Sequence, residues 1–155
     1  MILIGIGKIE ERERIQNVTL KAYRELIKKP PTPTMLSHYE DGKPYFKGAE
    51  DIKVSISHSG EYFVIGLSQS EIGIDIQENK EIEYKKISAR YGIECSSIDD
   101  FYRYFTLAEA QTKIDGEGLP HSLHRTSTIV GKTYRFIKGY TLSVVGSEEA
   151  VFITI

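Results

Sequence analysis

Three prolines within four residues, Pro30, Pro31 and Pro33, constrain this fold more than any other feature of the chain. Each lacks an amide proton and disfavours helix in the residue before it, so no helix can run through them. Upstream, Ile15, Val18, Leu20, Ala22, Tyr23, Leu26 and Ile27 recur near helical spacing among Arg and Glu, which predicts one amphipathic helix over 10–28. Downstream, a loop runs to about Tyr45 and the period then changes to two. Runs over 52–57 and 62–67 flank Ser59-Gly60 and predict a hairpin, with a third strand over 71–77. Helical patterning returns over 82–91, stopped at Gly92, and again after Ser96-Ser97, where Asp99 and Asp100 suit a first turn, as far as Lys113. Beyond Asp115-Gly116-Glu117-Gly118, three alternating segments over 133–137, 140–145 and 150–155 predict an antiparallel sheet. The fold class is therefore α+β. IGIGKIEE from Ile4 is echoed by IGIDIQEN from Ile72, each followed by a helical segment. That echo predicts one compact domain over 1–155, built of similar halves, about 1–70 and 71–155, that share a core and leave a cleft between them.

Composition narrows the partners. A formal net charge of -2 provides no excess of cations to displace counterions, so neither nucleic acid nor a membrane surface is expected. No stretch reaches the roughly 20 apolar residues that span a bilayer, and the opening MILIGIGKIEERERI lacks the pattern of a secretory signal. Cys95 stands alone, which excludes an internal disulfide and a CxxC zinc site. A cytoplasmic location is expected.

Several side chains have the chemistry of a site. In Gly73-Ile74-Asp75-Ile76-Gln77, strand alternation puts Asp75 and Gln77 on one face, as a hard cation bound with substrate phosphate would require, although any half-buried strand shows the same alternation. Glu109 and Lys113 lie four apart, on one helical face, as a shared site or as an exposed ion pair. Ser57-His58-Ser59-Gly60 ends a strand at a turn, where Ser57 and His58 suit a phosphate as well as they suit a plain turn. No GxSxG elbow surrounds Ser57, which argues against a serine hydrolase. Lys43, held between Gly42 and Pro44, and the tract Lys21, Arg24, Lys28 and Lys29 are further phosphate candidates, the tract being equally a solvated helix face. His121 and His124 have no third ligand and read as loop residues.

Taken together, GKPYF from Gly42, SISHSGEYFVIGLS from Ser55, GIDIQ from Gly73 and FTLAEAQTKIDGEGL from Phe105 resemble the 4'-phosphopantetheinyl transferases in order and spacing. The resemblance is clearest from about Gly42 to Leu119 and is to the larger, pseudo-dimeric branch, in which two α+β halves with antiparallel sheets pack together. It implies transfer of the 4'-phosphopantetheine arm of coenzyme A to a serine of an apo acyl- or peptidyl-carrier protein, with release of 3',5'-ADP. Asp75, Gln77 and Glu109 would then hold Mg²⁺, Glu109 and Lys113 would serve catalysis, and Lys43, Ser57 and His58 would grip the nucleotide end. Three departures accompany the resemblance: Gln77 replaces a usual acid, Ala108 a usual lysine and Phe105 a usual tryptophan, in a chain whose N-terminal half is short. A relative that binds coenzyme A or a carrier without transfer is the alternative they raise.

Overall fold

The computed structural model describes residues 1–155 as four layers: a helix, a six-stranded sheet, a three-stranded sheet and a second long helix. Strand β1 (Ile2–Lys8) lies inside the larger sheet. Its residues face two cores in alternation. Leu3 belongs to the core beneath helix α1 (Arg12–Leu26), with Ile15, Leu20 and Tyr23, whereas Ile2, Ile4 and Ile6 pack against the smaller sheet. Burial on both faces explains why β1 reads as an unbroken apolar run rather than an alternating one.

The remaining strands of the larger sheet are β2 (Met35–His38), β3 (Pro44–Lys47), β4 (Lys53–Ser59), β5 (Tyr62–Ser68) and β9 (Ala150–Thr154), in the order β2-β3-β4-β5-β1-β9. The smaller sheet has the order β6-β8-β7, from β6 (Gly73–Glu78), β7 (Gly131–Tyr134) and β8 (Tyr140–Val145). Between the sheets, Val64, Ile72, Ile74, Ile76, Leu142 and Val144 join the three isoleucines of β1 in one core. Each such side chain stabilises the fold by about 1.5–3 kcal/mol when fully buried.

After the short helix α2 (Tyr84–Arg90), helix α3 (Ile98–Asp115) covers the outer face of the smaller sheet. Its start matches the expected cap, since Ser97 Oγ accepts a 3.1 Å bond from the Asp100 amide, and its end is set by Gly116 at φ 69. Gly73 lets it approach β6 closely, because a Cβ there would collide with the Ala110 carbonyl; Gly5 likewise admits Thr19 of α1 against β1. The order strand, helix and hairpin occurs twice along the chain: β1, α1, β4–β5 and then β6, α3, β7–β8, with β1 antiparallel to β5 as β6 is to β8.

The structure departs from the sequence expectations in several places. The first helix is shorter than 10–28, with a 3₁₀ turn over Ile9–Glu11 before it and Lys28 already in the left-handed region at φ 56. The loop after the prolines contains β2 and β3, which are only four residues each and bury only Phe46 fully, too little periodicity to signal a strand. β7 begins two residues before the expected position. β9 runs parallel to β1, so the larger sheet is mixed rather than antiparallel. His121 and His124 lie on a short helix α4 (Leu119–His124), opened by Pro120 and anchored on α3 through Leu123 and the 3.0 Å Ser122–Thr112 hydroxyl contact, not in a loop. No helix is long and apolar enough to cross a membrane.

Candidate active site

The site begins with three serines. Ser55, Ser57 and Ser59 share one face of β4, and their hydroxyls accept hydrogen bonds from the amides of Ile74 (3.0 Å), Ile76 (3.0 Å) and Glu78 (2.8 Å) on β6. β4 and β6 belong to different sheets, so these hydroxyls take the place of a neighbouring strand's carbonyls and fix β6 across β4. Any of these amides left buried without an acceptor would cost about 1–3 kcal/mol.

This join sets Asp75 in the interior, 4% exposed. Ser57 Oγ donates to its Oδ1 at 3.3 Å, and Gln77 Nε2 donates to both carboxylate oxygens at 3.3 and 3.1 Å. Lys113 reaches in from α3 with its Nζ 3.8 Å from Asp75 Oδ1, donating to the carbonyls of Ile56 at 3.0 Å and Ile74 at 2.6 Å. One ammonium thus bridges β4, β6 and α3. Lys113 turns to Asp75 instead of forming the exposed pair with Glu109 that spacing alone allows.

Burial dominates the electrostatics. It pushes Asp75 up to about 7 against the lowering pull of Lys113, Gln77 and Ser57, and the nearby charge of Glu109 pushes in the same direction as burial. Burial also raises half-buried Glu109, which Lys113 lowers, and depresses Lys113, which Asp75 and Glu109 raise. Two carboxylates and an ammonium therefore act on one another at the junction of β6 and α3.

Beside them opens a cleft of about 480 Å³, bounded by the turn Asp41-Gly42-Lys43-Pro44, by Val54, Ser55 and Ile56 of β4 and by the last turn of α3 from Thr112 to Gly116. The turn is rigid: the Lys43 amide bonds Asp41 Oδ1 at 3.0 Å, the Tyr39 amide bonds the Lys43 carbonyl at 2.9 Å, and Gly42 sits at φ 90. Its size suits a mononucleotide-sized ligand.

Of the residues singled out in the sequence, Asp75, Gln77, Ser57 and Lys113 meet in one hydrogen-bonded group, with Glu109 alongside. Lys43 and Lys113 both line the cleft. His58 is exposed on the opposite face of β4 from Ser57 and does not line the cleft. The basic tract of α1 lies elsewhere, with buried Arg24 donating to the Thr32 carbonyl and hydroxyl at 2.9 Å each and Lys29 paired with Asp51 at 2.8 Å. Ala108 is fully buried, one turn before the Thr112 that meets α4, so no lysine fits there without displacing its neighbours. Sequence reasoning passed over Ser55 and Ser59, whose signal was the repeat of serine at every second position of β4.

The donor set bears on a metal. No three His, Cys, Asp or Glu side chains cluster so as to hold an ion by themselves. Asp75 and Glu109 supply two carboxylates and Gln77 an amide, which fits an Mg²⁺ ion shared between one or two protein carboxylates and substrate phosphates, and not a cage made by protein alone.

Compared with protein-family models, the chain matches none. Among curated proteins it is 32% identical over 92 residues to a 4'-phosphopantetheinyl transferase of Bacillus subtilis, covering 52% of this chain and 40% of the relative. It is 32% identical over 95 residues to 4'-phosphopantetheinyl transferase Sfp of Bacillus subtilis (strain 168), covering 54% and 42%, and 31% identical over 90 residues to 4'-phosphopantetheinyl transferase gsp of Aneurinibacillus migulanus, covering 52% and 37%. The matches span about 40% of the length of these relatives.

Proposed function

We propose that this chain is a member of the 4'-phosphopantetheinyl transferase superfamily, which its similarity to three such transferases supports, and that it transfers the phosphopantetheine arm of coenzyme A to a serine of an apo acyl- or peptidyl-carrier protein. The observation that carries the proposal is the convergence of Asp75 from β6 with Glu109 and Lys113 from α3 beside a nucleotide-sized cleft. The same elements support a domain of two similar halves, about 1–70 and 71–155, since each repeats strand, helix and hairpin. Coenzyme A and carrier proteins are met together in the cytoplasm, which is where such a protein would act.

In the proposed reaction the carrier serine oxygen bonds to the β-phosphorus of coenzyme A, the bond from that phosphorus to the bridging oxygen breaks, and 3',5'-ADP leaves. Asp75 and Glu109, with Gln77, would hold Mg²⁺, which when bound neutralises pyrophosphate charge. Glu109 is half-buried with a raised pKa, so it is suited to take the serine proton, directly or through water. Lys113 keeps Asp75 oriented through its two carbonyl bonds and sets a positive charge at the inner wall of the cleft, where negative charge accumulates during transfer. Lys43, which lines the cleft, is assigned to the nucleotide end, whereas Ser57, bonded to Asp75 and the Ile76 amide, and His58, on the other face of β4, do not line it and are left out of that role.

The test is direct. Purified protein is mixed with coenzyme A, Mg²⁺ and a panel of apo-carriers, and intact-mass spectrometry reads a gain of one phosphopantetheine arm. Nucleotide binding without any mass gain would replace transfer with a binding role, and absence of both would sink the assignment.

A further inference from the structure

Glu71 lies in the connection between β5 and β6, outside every motif that carries the family resemblance. Its carboxylate contacts two lysines at the cleft edge: Oε2 accepts from Lys43 Nζ at 3.1 Å, and Oε1 lies 3.8 Å from Lys53 Nζ. The ionisable side chains lining the cleft are Asp41, Lys43, Lys113 and Asp115. Lys113 is committed to two carbonyls and Asp75, so Lys43 is the cation that can turn toward an incoming anion.

We propose that Glu71 is a built-in competitor for ligand phosphate: it holds the Lys43 head group in the resting cleft and must be displaced before that lysine can grip a nucleotide. The backbone of the 41–44 turn is fixed by its own hydrogen bonds, so the exchange needs only a change of lysine rotamer. Lys53, on β4, anchors the other carboxylate oxygen and keeps Glu71 at the edge when Lys43 leaves. A phosphate dianion outcompetes a single carboxylate for an ammonium, so a ligand bearing a terminal phosphate opens the pair and one without it does not. Glu71 is thus a positioning residue that weakens general anion binding and leaves discrimination to the phosphate.

The inference rests on the assignment of this cleft to the nucleotide end of coenzyme A, and the test separates the two. Calorimetric titration with 3',5'-ADP is carried out on the wild-type chain, Glu71→Gln, Lys43→Met and the double variant. Glu71→Gln should bind about two- to fivefold tighter, the range expected for releasing an exposed ion pair. The gain should shrink as salt is raised and vanish in the Lys43→Met background, neither of which a change in packing would produce. If Glu71→Gln binds no tighter, or the gain survives Lys43→Met, the competition is wrong while the cleft assignment stands. If neither the wild-type chain nor Glu71→Gln binds 3',5'-ADP, the cleft assignment falls and takes this inference with it.

Discussion

Replacing Asp75 by asparagine keeps the shape of a buried side chain and removes its charge, which makes the cost of that charge measurable. The carboxyl titrates at about 7 in the fold against 3.8 unperturbed, chiefly because it is removed from water. The folded state therefore keeps this proton to a higher pH than the unfolded chain. The stability tied to the protonated form is whole below about pH 3.8 and is lost as pH rises through about 7. With those two values, ionisation costs the folded state roughly 2 kcal/mol near pH 5 and roughly 4 kcal/mol near pH 8. Lost hydrogen bonds from Gln77 and Ser57 shift the variant by an amount that does not depend on pH and cancel when the two conditions are subtracted. Urea denaturation of both proteins without metal should thus show Asp75→Asn gaining on the wild type by about 2–3 kcal/mol between these pH values. Lys113 acts in the same direction, since losing a carboxylate partner lowers its pKa further and lets it shed its own charge as pH rises. A gap that stays constant or narrows would mean that Asp75 is ionised throughout, and the picture of a site governed by burial would be wrong.

Glu109→Ala should abolish carrier modification while leaving the circular dichroism spectrum unchanged; retained turnover would remove Glu109 from the metal and proton-transfer roles. Gln77→Glu restores a third acid beside Asp75 and should tighten Mg²⁺ in a calorimetric titration by about tenfold, the order expected from one added carboxylate; an unchanged isotherm would mean that this side chain does not reach the ion. Ser57→Ala removes the acceptor for the buried Ile76 amide and should cost about 1–3 kcal/mol in chemical denaturation. Ser59→Ala, at the less buried end of the same row, should cost less, and equal losses would refute the hydroxyl join between the sheets.

Features that depend on a few neighbouring residues were legible in the sequence. The alternation of Asp75 and Gln77, the shared face of Glu109 and Lys113, the Ser97 cap and the hairpin at Gly60 each follow from spacing and turn chemistry. The four-residue strands β2 and β3 and the short α4 were not, because each gains its order from the element it leans on and too little from its own period. The site itself shows the same division. Period two predicts which way Ser57 points but not that β6 will cross β4 at that place, and so a serine assigned to phosphate by resemblance also has its hydroxyl bonded to Ile76 and Asp75. Helical spacing brings Lys113 to the face of Glu109, yet its partner is chosen by the close approach of α3 to β6 that Gly73 permits. A single glycine in β6 therefore does what no charged residue in the motif can do alone: it sets the depth at which α3 rests, and with it whether Lys113 ends in water beside Glu109 or inside the protein against Asp75. A Cβ at that position would collide with the Ala110 carbonyl, so α3 could not rest where Lys113 now reaches Asp75.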